Sequence, residues 1–152
     1  MKQVYSVLNS LKDHFESNGI TNKVLFGSEN EVDSDKTQNM PCSNIELQSC
    51  SFNGSVMSFT VSILCLGWVK ELKTVDPDND YYGSSNLFDV LNEQHFVIGK
   101  LIRDLDEGNL FDEFVRLSGS PSANVVMDFG GNSLAGWRTT IELETKNEIS
   151  VC

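Results

Sequence analysis

The chain has 152 residues, 39% hydrophobic and 22% charged, with 22 Asp and Glu against 11 Lys and Arg for a formal charge of −11. That length fits one domain able to bury a core without disulfide or metal staples. The acid excess argues against binding along a phosphate backbone, which needs clustered Lys and Arg to release counterions, while a surface that DNA slides past without adhering stays compatible with it.

The first residues, Met-Lys-Gln-Val-Tyr-Ser-Val-Leu-Asn, hold no apolar segment of signal-peptide length, and the longest apolar strand is interrupted by Ser58, Thr60 and Ser62. A protein neither secreted by that route nor spanning a membrane is expected. Cys42, Cys50, Cys65 and Cys152 include no Cys-x-x-Cys pair and read as reduced thiols.

Lys2 to Asn18 predicts an amphipathic helix, with Val4, Val7, Leu8, Leu11 and Phe15 on one stripe and Gly19 at its C-terminal end. A short strand, Lys23 to Phe26, ends at Gly27. Ser28 to Cys42 is polar, acidic and without periodicity, so a long loop is expected there.

Asn44 to Val69 predicts a long β-hairpin. Asn53-Gly54 between two alternating runs is a strong hairpin signal, because both residue types tolerate the positive φ of a type I′ turn. A two-residue loop there sets Phe52 opposite Ser55, Cys50 opposite Met57 and Ile45 opposite Ser62. One face then carries Cys50, Phe52, Met57, Phe59, Val61 and Ile63. The other carries Ile45, Leu47, Ser58, Thr60, Ser62, Leu64, Leu66 and Trp68, polar in its middle and apolar at the end away from the tip.

Lys70 to Ser85 is a second polar connection. Asn86 reads as the N-cap of a helix from Leu87 to Asp106, whose apolar stripe is wide enough to cover the hairpin, and Gly108 ends it. Leu110 to Leu117 suggests a further helical turn or two. A strand from Asn124 to Phe129, a reversal at Gly130-Gly131-Asn132-Ser133 and a strand from Leu134 to Glu144 follow. The expected organisation is a single domain over residues 1–144 with a C-terminal tail over 145–152. Its class is α+β: a mostly antiparallel sheet with a long hairpin, flanked by two main helices on one face.

Reactive chemistry is not evident in the motifs. His14 and His95 lack a second ligand at i+3 or i+4, and there is no nucleophile elbow, dinucleotide fingerprint or phosphate loop. Asp76, Asp78 and Asp80 alternate as calcium ligands do, but Tyr81 stands where such a loop needs Gly and Leu87 where it needs a bidentate Glu. No catalytic residue, metal or cofactor is assigned. The hairpin's apolar end, with Ile45, Leu47, Leu64, Leu66 and Trp68, is the candidate subunit interface, since a heterologous contact repeated by rotation closes a ring. One further layer within the same subunit is the competing reading for those residues.

An N-terminal amphipathic helix, a short strand, an acidic loop, a hairpin with Phe-Asn-Gly, a second long helix and a closing Leu134-Ala-Gly-Trp-Arg-Thr-Thr-Ile-Glu-Leu resemble tail-terminator and tail-completion proteins of tailed bacteriophages, and related neck-ring proteins. The resemblance covers Met1 to about Glu144. It implies a non-enzymatic virion protein of the tail or neck, present in the host cytoplasm during assembly. It also implies a homo-oligomeric ring of six or twelve subunits that contacts other neck and tail proteins, encloses a channel through which DNA passes without specific binding, and involves no membrane. Glu29, Glu31, Asp33, Asp35, Asp76, Asp78 and Asp80 would then face adjacent rings or the channel. The rival readings are a head-completion or stopper protein of the same neck, a small acidic monomeric binding module, and a hydrolase with an unrecognised site.

Overall fold

A computed structural model of the chain describes residues 3–32, 39–71, 83–109 and 115–147. These form helices α1 (Gln3–Ser17), α2 (Glu29–Val32) and α3 (Leu87–Asp106), and strands β1 (Lys23–Phe26), β2 (Cys42–Asn53), β3 (Val56–Trp68), β4 (Val115–Ser118), β5 (Ala123–Val126) and β6 (Leu134–Lys146). The class is α+β, with a six-stranded sheet in the order β1-β2-β3-β6-β4 and β5 also paired to β6. Only the β1–β2 pair is parallel.

The hairpin is the spine of the sheet, because β3 is paired along its full length, by β2 on one side and β6 on the other. Its turn lies one residue later than the sequence suggests. Asn53 pairs with Val56, so Gly54 and Ser55 form the loop. Gly54 has φ 59° and Ser55 is not in the positive-φ region, a pattern matching a II′ rather than a I′ turn. That change alone slides the register by two residues and leaves the faces as expected.

A bulge between Leu47 and Ser49 then adds one residue to β2, and a shift of one exchanges faces. Ile45 therefore sits opposite Ile63, and Leu47 opposite Val61. Both belong to the face of Phe59 and Ile63, and the sequence-based placement beside Leu64 and Leu66 is corrected.

The main core lies between that face and the two long helices. Val7, Leu11 and Phe15 of α1 and Val97, Ile98, Leu101 and Leu105 of α3 meet Ile45, Phe59, Val61, Ile63, Ile141 and Leu143. Both helices show the 3.6-residue stripe their burial requires. Two glycines allow close approaches, Gly67 between sheet and helix and Gly136 between neighbouring strands. A side chain on Gly67 would come within 2.8 Å of Val90 on α3, and one on Gly136 would strike the carbonyl of Cys65 on β3.

A second, smaller core occupies the opposite face at the end away from the tip. Leu64, Leu66, Cys42, Val32 and Leu134 pack there with Leu25, Met40, Val126 and Phe129 around them. Ser28 to Cys42 is thus not wholly loop: α2 and the first residue of β2 lie within it, while 33–38 fall outside the described residues. Leu117 pairs with Leu143 in β4, so the expected helical turns give way to a strand over 115–118, residues 110–114 lying outside the description. The last strand also continues past Glu144, since Thr145 pairs with Met57 and Lys146 with Val56. Residues 145 and 146, expected in the tail, thus belong to the strand.

Candidate functional surfaces

Of the five residues expected at a subunit interface, three are interior. Ile45 and Leu66 have no exposed surface and Leu64 has 1%, all covered by elements of the same chain. Each fully buried side chain of this size contributes about 1.5–3 kcal/mol to folding. Leu64 and Leu66 belong to the second core, the further layer within the subunit, and Ile45 to the main core, so these three are corrected from interface to core. Leu47 and Trp68 stay partly open, at 38% and 36%. Trp68 ends β3 with the Lys70 ammonium 5.4 Å from its ring centroid.

Of the acidic group, Glu29 is committed to the fold. Its carboxylate takes two hydrogen bonds from Arg138, from Nε at 2.8 Å and from Nη2 at 2.6 Å, which ties α2 to β6. The same bonds hold the Arg138 guanidinium charged above its ordinary range. Glu31 follows on α2, where its carboxylate lies over Gly27. Asp33, Asp35, Asp76, Asp78 and Asp80 lie outside the described residues.

His14 and His95 have structural surroundings. His14 Nε2 is 2.9 Å from Asp104 Oδ2, joining α1 to α3 through a buried ring. His95 packs edge-on against Trp137, centroids 5.3 Å apart. Trp137 Nε1 donates to the Leu91 carbonyl at 2.8 Å, fixing α3 over β6. Asn86 stands at the predicted N-cap of α3 but does not cap it with its side chain. Its amide instead accepts from Lys70 N–H at 2.6 Å and donates to the Trp68 carbonyl at 3.3 Å, clamping the exit of β3 to the start of α3.

Two exposed surfaces of the sheet differ in character. The first is the open half of the sheet face opposite the long helices. Alternation along β2, β3 and β6 sets Glu46 opposite Ser62, Ser51 opposite Ser58, Thr60 opposite Glu142 and Ser58 opposite Glu144. Hydroxyls and carboxylates dominate there, with Arg116 of β4 opposite Glu144 and Lys146 opposite Val56 at the tip end. The polar middle expected of this face is present.

The second surface is the outer side of β2 near the tip. β1 pairs only with Cys42 to Ile45, and among the described residues no strand pairs with Leu47–Asn53 on that side. A groove of about 540 Å³ runs beside it, between the first turn of α1 and the hairpin, lined by residues including Val4, Tyr5, Leu47, Cys50, Phe52 and Met57. Tyr5 and Phe52 are 67% and 65% exposed, so this apolar strip is open. Sequence reasoning missed it because the bulge that turns Leu47 to the groove side leaves no mark in the hydrophobic pattern.

Among the described residues no group of three or more His, Cys, Asp or Glu is arranged to hold a metal ion. No helix among them is long and apolar enough to cross a membrane. Neither a scan against protein-family models nor a search of curated proteins finds a match for this chain.

Proposed function

We propose that the protein is a structural subunit of a phage tail or neck, a tail terminator or head-to-tail connector, that acts by assembling into a closed ring of six or twelve copies around a DNA channel. The observation that carries this reading is the open apolar strip at the β2 side of the sheet, beside a strand edge that is unpaired among the described residues. An exposed edge beside apolar side chains is a hazard for a monomer and an asset for a protein that assembles. The sheet has a different edge on its far side, formed by β4 and β5. Two unlike edges favour head-to-tail contacts, which close into rings when the rotation permits.

The open polar face suits a channel wall. Its carboxylates and hydroxyls offer duplex DNA no cationic row, and the charge of −11 favours passage over retention. Trp68, with the acidic residues Asp33, Asp35, Asp76, Asp78 and Asp80, is left to meet the rings above and below.

Negative-stain images of the purified protein test this reading. Annular particles with six-fold or twelve-fold class averages and a central hole wide enough for duplex DNA are expected. Particles without a hole, or of two copies only, would overturn it.

A further inference from the structure

The ring reading leaves open which surfaces meet, and the following assignment rests on that reading. We propose that the outer edge of β2 from Leu47 to Asn53 receives the β4 edge of a second copy of this chain. The two strands would pair antiparallel, so that the sheet of one subunit runs on into the next.

Three observations point to a second copy as the occupant. The first is position. At the level of the tip the strands run β2-β3-β6-β4, each antiparallel to its neighbour. β2 and β4 therefore run in opposite directions at the two ends of one strip. Setting β4 of one copy beside β2 of the next, helices on the same side, continues the antiparallel alternation without turning either subunit over.

The second is charge. A chain of −11 repels its own copies, and strand edges left to solvent are ordinarily guarded by charges or proline. Of the 22 acidic side chains none falls in Leu47–Asn53, Val115–Ser118 or Ala123–Val126, and the first of these segments has no charge at all. Arg116 is the one ionic residue of the β4 edge, so apposition of the two edges brings no pair of carboxylates together.

The third is the apolar strip. The groove of about 540 Å³ adjoins the same edge on the helical side. A copy docked through its β4 edge places its own helical layer over that groove and takes Leu47 and Phe52 out of water. Backbone pairing alone would leave both exposed.

Site-directed cross-linking decides the matter. On a background of Cys50→Ser and Cys152→Ser, Ser51→Cys and Ser118→Cys are made singly and together, on the open face of the two edges. A short bis-maleimide is added to the folded protein. The double variant should give a ladder of covalent dimers, trimers and higher species ending at a closed ring, and neither single variant should link. Dimers from Ser51→Cys alone would mean that β2 meets β2, which overturns the assignment. Oligomers seen by native mass without any ladder would overturn the edge assignment while leaving the ring. A monomer by native mass, also without links, would overturn both. As a second variant, Ser49→Lys with Ser51→Lys restores a guarded edge and should reduce the oligomer to monomer with an unchanged far-UV circular dichroism spectrum, the melting temperature falling only by what assembly adds; an unchanged oligomer would count against the β2 edge.

Discussion

Gly136 shows how much one residue can decide. It sits in β6 against the Cys65 carbonyl of β3, where even a methyl group has no room. Gly136→Ala must therefore part the β3–β6 ladder, the longest among the described residues, and a loss of about 1–3 kcal/mol is expected in urea unfolding, the range for overpacking an interior. The same neighbourhood governs thiol chemistry. Cys65 is fully buried, and burial pushes its pKa from 9.0 up to about 12, partly offset by a hydrogen bond with Ser43. Between those values the unfolded chain has lost the proton and the folded chain keeps it. Stability should thus fall as pH rises through that window and owe nothing to this group below it. A thiol reagent at pH 8 should label exposed Cys50 quickly and Cys65 only on unfolding. Equal labelling rates would show that Cys65 is not interior.

Among the elements, the hairpin separates what a sequence can reveal from what it cannot. The bounds of β1 and α3, and nearly those of α1, follow from apolar periodicity, and the polar centre of the second sheet face follows from alternation. The fate of Ile45 and Leu47 does not, because an irregularity at Gln48 reverses their side and no residue there announces it. Leu64 and Leu66 look like interface until α2 and the turn at Phe129 are seen to cover them, contacts made by segments without periodicity of their own. The two sets of residues should now respond oppositely. Leu66→Ala should cost about 2–5 kcal/mol of stability, as for other buried leucines. Phe52→Ser, at an open position, should change stability by no more than about 0.5 kcal/mol while weakening self-association. The helices are joined by the His14–Asp104 bond, and His14→Ala should cost about 1–3 kcal/mol by stranding a part-buried carboxylate. A double-mutant cycle with Asp104→Ala should show coupling; strict additivity would mean the bond holds nothing.

At the scale of the molecule, two surfaces with opposite character underlie the proposed role: the uncharged outer edge of β2, proposed to take a partner, and the polar sheet face, proposed to let DNA pass. The second implies that duplex DNA causes no retention of the protein even at low ionic strength, where any attraction would be strongest. A salt-sensitive gel shift would argue against a channel wall. The first implies assembly, and light scattering across a concentration series measures it most directly. The mass per particle should converge on six or twelve times that of one chain and not rise beyond it, since a ring has no free edge to extend. A single-chain mass at every concentration, or a mass that grows without limit, would contradict the account.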